Sequence, residues 1–243
     1  MVDLESLHLS FSPLGDRALL VELASEPGPE TSASVRAIAD RVRTMALPGV
    51  SDIVPAFCSV ALHYDPAVLG EADSERTPYD ALVLRLQESL FDADALPQED
   101  GRLHEIPVAY GGRFGEDLDE LAATLEMGAD TLIELHCATT YSVYMLGFAP
   151  GFPYLGPLDH RLIVPRRDSP RTQVPAGSVA VANAYTAVYP LNLPGGWHLL
   201  GRTPLTLFDP NRDPPALLSA GDRVRFVPID AAEFARLENG ART

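Results

Sequence analysis

The chain has 243 residues, 46% of them apolar and 21% charged, which is the profile of an ordinary globular protein with one large domain or two small ones. A formal net charge of −16 argues against nucleic acid and anionic membrane as partners, and no run approaches the ~18 apolar residues of a membrane span. All 18 basic residues are arginine, which excludes Schiff-base chemistry, a lysine general base and the P-loop motif.

The first ten residues carry Asp3 and Glu5 without a basic flank, so no secretory signal is expected. "RALLVEL" (17–23) reads as a short strand. In "TSASVRAIADRVRTMAL", Val35, Ile38, Ala39, Val42 and Met45 recur at helical spacing, with Ser32 or Ser34 as N-cap and Pro48-Gly49 as the stop. "VSDIVPAF" and "SVALHYD" read as two strands, and "YDALVLRLQESLF" as a second amphipathic helix. This β-α-β-β-α order is close to a ferredoxin-like α/β sandwich. Its remaining strand is either "LHEIPVAY" (103–110) or residues 7–11. The polar break "ALPQEDG" (95–101) places a domain boundary there, giving domains 1–100 and 101–243.

Beyond the break, Gly111, Gly112 and Gly115 precede a helix in "YGGRFGEDLDELAATLEM". Glu116, Asp117 and Asp119 complement its dipole and make its start a poor phosphate site, and the helix is expected to present a solvated acidic face. "ADTLIELHCATT" is a further helix and carries His136. From residue 141 on, short apolar runs appear: "YSVYMLGF", "RLIVP", "SVAVA", "TAVYPL", "WHLLG", "PLTLF" and "RVRFVP". Each is bounded by Pro, Gly, Asn or Asp, a pattern that suggests a closed all-β barrel or sandwich. "DAAEFARLENG" reads as a short terminal helix or a frayed tail.

Three features bear on chemistry. "GFAPGFPYLG" (147–156) combines glycines, prolines and aromatics without a charge, so it is either a rigid structural loop or the wall of a pocket. Arg161, Arg166, Arg167 and Arg171 form a basic cluster in an acidic chain: an anion site, a partner-facing patch, or partners for the protein's own acids. His136 is the candidate acid–base group, a helix-face histidine of structural purpose being the alternative. Cys58 and Cys137 lie in separate segments and read as buried free thiols in a reducing cytoplasm. No His/Cys/carboxylate cluster has metal spacing, and no bound metal is expected.

Taken in order, "LGDRALLVEL", "IPVAYGG", "ELH", "GFAPGFPYLG", "PRRDSPRTQVPAGSV", "YPLNLPGGWHLLGRTPLTLFDP" and "AGDRVRFVPI" resemble the KipI/PxpB family, also known for the first of the allophanate hydrolase subunits. The resemblance covers nearly the whole chain and is most specific over 147–210. It implies an N-terminal α+β domain and a C-terminal cyclophilin-like β-barrel. It also implies a role as the PxpB component of a bacterial ATP-dependent 5-oxoprolinase, which opens the lactam of 5-oxo-L-proline to L-glutamate. The implied partners are a PxpC/KipA-type component and a PxpA/LamB-type component, with ATP bound at the level of the complex. Related domains form the carboxyltransferase part of a biotin-dependent urea carboxylase, and another relative inhibits a sensor histidine kinase, so the family alone leaves these alternatives open. The cleft implied by the family is walled by Phe148, Phe152 and Tyr154. Its substrate-binding candidates are Pro150, Gly151, Phe152, Arg166, Arg167, Arg171, Gly177, Tyr185, Tyr189, Gly195, Gly196 and Trp197. Where relatives read close to Gly-x-Gly-Gly-x-Gln-Thr-Gly, this chain has "AVANAYTA" (180–187). Tyr185 replaces a glutamine there and is expected to narrow the pocket.

Overall fold

The computed structural model describes residues 9–69, 76–91 and 101–240. The chain divides into two compact units, Met1–Asp100 and Gly101–Thr243. The expected break at 95–101 lies, apart from Gly101, outside the described residues, as does part of the strand expected at 7–11.

The first unit contains β1 (Ser10–Pro13), β2 (Ala18–Glu22), α1 (Pro29–Met45), β3 (Val50–Pro55), β4 (Ser59–Tyr64), the short α2 (Pro66–Leu69) and α3 (Pro78–Phe91). Its sheet is antiparallel in the order β1-β2-β4-β3. That is the split β-α-β arrangement of a ferredoxin-like unit, with the N-terminal hairpin strand supplying the outer edge. The alternative, residues 103–110, belongs to the second unit. Val35, Ile38, Ala39 and Val42 of α1 and Leu82, Leu86 and Leu90 of α3 are buried against Leu19, Val21, Val60 and Leu62 of the sheet. Helix α1 begins earlier than its serines suggest. Gly28 is extended and Pro29 opens the first turn, where a missing N–H costs nothing. Ser32 and Ser34 are buried inside the helix instead, and Ser34 Oγ donates to the Glu30 carbonyl. At α3 the start signal is a Thr77–Asp80 reciprocal cap: Asp80 N–H donates to Thr77 Oγ1, and Thr77 N–H and Oγ1–H donate to Asp80 Oδ2.

The second unit contains β5 (Leu103–Tyr110), α4 (Leu118–Thr124), α5 (Ala129–Ala138), β6 (Tyr141–Leu146), β7 (Pro153–Gly156), a 3₁₀ turn (His160–Leu162), β8 (Arg171–Val174), β9 (Ser178–Ala182), β10 (Tyr185–Val188), β11 (Leu193–Gly195), β12 (His198–Arg202), β13 (Arg223–Pro228) and α6 (Ala231–Gly240). Seven strands close a barrel in the order β10-β7-β6-β13-β5-β12-β9. All pairings are antiparallel except β13 with β5. Strands β8 and β11 form a separate two-stranded ribbon. The α+β class expected from the sequence is therefore what the chain adopts. "RLIVP" and "PLTLF" are not strands; they contribute the 3₁₀ turn and two isolated bridges, Val164 with Asn183 and Phe208 with Ala216. Among the described residues no helix is long and apolar enough to cross a membrane.

Strand β9 is buried along its whole length. Successive side chains point to opposite faces, so Val179 and Val181 enter the barrel core while Ala180 and Ala182 join an outer cluster with Phe152, Val174, Tyr189, Trp197 and Leu199. Ala187 of β10 belongs to the same outer cluster. Small side chains at these three positions leave room for the rings.

Gly115 packs against the barrel so closely that a Cβ would collide with the Leu200 carbonyl, whereas at Gly112 a Cβ meets open space. Gly115→Ala is expected to lower unfolding free energy by about 3 kcal/mol or more, and Gly112→Ala, which bears only the cost of its positive φ, by about 1 kcal/mol. Denaturant titration of the two variants checks the difference.

Candidate functional site

The loop between β6 and β7 is a tight reversal. Gly147 N–H donates to the Phe152 carbonyl at 3.0 Å and Phe152 N–H to the Ala149 carbonyl at 3.0 Å. The turn needs left-handed backbone at Phe148 (φ 69°) and at Gly151 (φ 75°). Glycine adopts this freely, but at a bulky residue it is a strained conformation held by the surroundings. It leaves the Phe148 ring 62% exposed, edge-on to Phe152 at 5.3 Å.

Between this loop, the β8–β11 ribbon and the outer barrel face lies a cavity of about 220 Å³. Six candidates meet there: Phe152, Arg166, Tyr189, Gly195, Gly196 and Trp197, together with the expected walls Phe148 and Tyr154. Pro170 and Pro194, which the sequence does not single out, complete the lining. The rings form one network: Phe152 lies 5.1 Å from Tyr154, 5.2 Å from Tyr189 and 5.9 Å from Trp197 between centroids. These offset and edge-on contacts fix the walls. Gly195 has no side chain because the Tyr189 hydroxyl occupies that space. Burial raises the Tyr189 phenol to about 12, against a backbone hydrogen bond from Trp197 and the charge of Arg166.

The other candidates sit elsewhere. Pro150 is exposed on the turn, and Gly151 faces the Phe208 side chain. Gly177 (φ 82°) lines a second cavity of about 270 Å³ with Arg202, Thr203 and Phe208. Tyr185 does not line the first cavity; its ring stands edge-on to Tyr154 at 6.4 Å and to Tyr144 at 6.3 Å, behind the wall. Asn183 takes the left-handed conformation (φ 52°) that glycine would otherwise supply, and asparagine tolerates it.

Arg167 and Arg171 are engaged by Asp117. Arg167 Nη1 donates to Asp117 Oδ1 at 2.8 Å; Arg171 donates through Nη2 to Oδ1 at 2.6 Å and through Nη1 to Oδ2 at 2.9 Å. The Leu199 N–H adds a bond to Oδ2 at 2.7 Å, and Asp117 N–H returns one to the Leu199 carbonyl at 3.1 Å. Asp117 is 3% exposed, so the solvated acidic face expected for this helix does not extend to it. Burial raises its carboxyl, but the Arg171 and Leu199 hydrogen bonds and the two guanidinium charges outweigh that and hold it below the ordinary value.

His136 lies inside the barrel with no exposure. Tyr110 Oη lies 2.8 Å from Nδ1 and Thr186 Oγ1 2.9 Å from Nε2, and the Thr186 hydroxyl donates onward to the Ala180 carbonyl. Thr186 therefore accepts from Nε2–H, and Nδ1 accepts from the Tyr110 hydroxyl. The imidazole stacks on Phe226 at 4.6 Å. Burial lowers its pKa to about 3. Thr186 and Ala187 point to opposite faces of β10, so the barrel wall stands between His136 and the cavity. The catalytic role expected of His136 thus falls on a buried imidazole whose two ring nitrogens are taken up by Tyr110 and Thr186. Cys58 and Cys137 are free and half-buried. Among the described residues no group of three or more His, Cys, Asp or Glu could hold a metal ion.

Residues 9–218 match the family model of the carboxyltransferase domain, subdomains C and D, and the chain belongs to that family. Within it, the chain is similar to the B component of 5-oxoprolinase from Bacillus subtilis, with 40% identity over 231 residues, covering 94% of this chain and 96% of the relative. It is 44% identical to the B component of 5-oxoprolinase from Escherichia coli O157:H7 over 216 residues, 88% of this chain and 94% of that one. The crystal structure of the K. lactis urea amidolyase matches with a TM-score of 0.77 at 21% identity over 97% of this chain and 16% of that one, a likeness of fold.

Two outcomes follow from these networks. Asp117→Asn removes the buried carboxylate shared by Arg167 and Arg171, leaving Arg171 only the exposed Glu116 at 3.7 Å, and is expected to cost about 3 kcal/mol of stability, measured by denaturant unfolding. His136 binds its proton only in the unfolded chain between about pH 6.5 and its depressed folded value of about 3, so stability rises with pH across that window. Lowering the pH from 7 to 5 should cost about 2 kcal/mol, and His136→Gln should flatten that slope.

Proposed function

We propose that the chain is the B component of an ATP-dependent 5-oxoprolinase, providing one wall of the site where the lactam of 5-oxo-L-proline is opened to L-glutamate. The observation that carries this reading is the 40–44% identity to 5-oxoprolinase B components across nearly the full length of both chains. The cavity supports it. At about 220 Å³ it is smaller than the roughly 300 Å³ at which sites for drug-sized ligands begin, and its aromatic walls suit a small flat ring. The rings hold the lactam and exclude water, and Arg166 supplies positive charge at the rim.

ATP belongs to the complex under this proposal. One guanidinium in a small aromatic cavity is a poor match for a triphosphate, so the nucleotide is assigned to a partner or to a shared face. The partners are a PxpC/KipA-type component and a PxpA/LamB-type component, in the cytoplasm. Neither nucleic acid nor membrane is a partner of a chain with net charge −16. The two compact units are proposed to be separate domains joined near residues 95–101.

A second reading, carboxyltransferase-type chemistry on a urea-like amide, draws on the family description and on 26% identity to the urea amidolyase of Lachancea kluyveri, of which this chain covers 14%. The two readings separate by assay. Co-expressed with its partner homologues, the chain should support phosphate release from ATP that requires 5-oxo-L-proline, with none from the chain alone. Release that requires urea instead, or no dependence on 5-oxo-L-proline, overturns the proposal.

A further inference from the structure

The cavity holds an unusual combination. Its described lining is aromatic, proline and glycine, with Arg166 as the one charged group. The neighbouring arginines are spoken for: Arg167 and Arg171 by Asp117, and Arg161 by Asp159. The Arg166 guanidinium has no hydrogen bond or ion pair among the described residues. Its backbone, by contrast, is fastened on both sides. His198 Nε2 donates to the Pro165 carbonyl at 2.9 Å, and Arg167 N–H donates to the Gly196 carbonyl at 2.8 Å. The side chain therefore springs from a rigid base beside the Gly195–Trp197 turn. Its charge acts on both Tyr154 and Tyr189, lowering phenols that burial otherwise raises, which places it within electrostatic reach of both walls.

An unpaired guanidinium lining the same cavity as the aromatic walls, in a chain of net charge −16, favours one class of small molecule. The fork-shaped donor set matches a carboxylate, and the rings match a flat apolar or amide face. A neutral amide such as urea offers the guanidinium a carbonyl acceptor but no countercharge.

We infer that Arg166 is the residue that binds the ligand's carboxylate in this cavity, so that neutral urea-like amides are disfavoured for want of an anion. This deepens the proposed function and rests on it for the identity of the lactam; the anion requirement itself rests on the cavity.

The test compares 5-oxo-L-proline with 2-pyrrolidinone, the same lactam ring without its carboxylate. Calorimetry on the full chain should show 5-oxo-L-proline binding ~10- to 100-fold more tightly, a preference lost in Arg166→Gln and partly restored in Arg166→Lys. In the assembled complex, Arg166→Gln should raise KM for 5-oxo-L-proline ~10- to 100-fold with kcat within about threefold. The thermal midpoint of Arg166→Gln should equal that of wild type, since the guanidinium holds nothing in place. Equal binding of the two lactams, or no binding of either, overturns the inference. So does an unchanged KM in a complex that still turns over 5-oxo-L-proline; in that case the 5-oxoprolinase assignment stands. If Arg166→Gln leaves KM unchanged and instead separates the complex on gel filtration, the guanidinium serves a partner's carboxylate and the inference also falls. A complex inactive on 5-oxo-L-proline, with an Arg166-dependent binding preference intact in the chain, keeps the inference and removes the 5-oxoprolinase assignment.

Discussion

One buried carboxylate organises the outer face of the barrel. Asp117 accepts hydrogen bonds from Arg167, Arg171 and the Leu199 N–H, so it ties together the start of α4, the segment leading into β8 and the start of β12. Those three pieces are far apart in sequence. A carboxylate that is 3% exposed is costly to desolvate, and satisfying it from three directions is what makes the arrangement stable. The geometry of the cavity follows from it. With Arg171 held, β8 pairs with β11 to form the ribbon that roofs the rings, and with Arg167 held, Arg166 is left facing them.

The barrel wall does two jobs at once, and its composition reflects both. On the inside, Val179, Val181 and Val188 fill the core. On the outside, Ala180, Ala182 and Ala187 recede, so Phe152, Tyr189 and Trp197 pack close against the strands. His136 and its hydrogen-bonded chain through Tyr110 and Thr186 belong to the inner side. The cavity proposed for the ligand belongs to the outer side. A strand buried on both faces keeps these two sets apart while carrying both.

The parts of this organisation that depend on local pattern are legible in the sequence. The stripe of Val35, Ile38, Ala39 and Val42 places α1 on its sheet, and the alternation of Val224 and Phe226 with Arg223 and Arg225 places β13 in the barrel. The Gly/Pro/aromatic loop stands out, and the Gly195, Gly196 and Trp197 that the family resemblance adds do meet it. What cannot be read is pairing across distance. Asp117 sits among Glu116, Asp119 and Glu120, where a dipole-complementing role is the local expectation, and its arginine partners lie 50 and 54 residues away. The surplus of arginine at 161–171 is the available hint. For His136 a hint is also present, since it lies one turn after Leu132 on the buried stripe of α5. Tyr185 is expected from the sequence to narrow the pocket; it lies instead at the start of β10 and does not line the cavity, because which rings stand in front of it is a matter of tertiary packing.

The chain has one tryptophan, and Trp197 lines the cavity. Tryptophan fluorescence therefore reports on this site alone. Titration of the chain with 5-oxo-L-proline should give a saturable change in emission that 2-pyrrolidinone does not reproduce at the same concentrations and that Arg166→Gln abolishes. Emission that stays flat through the titration, in a chain whose complex turns over 5-oxo-L-proline, would show that the substrate binds elsewhere and contradict the account.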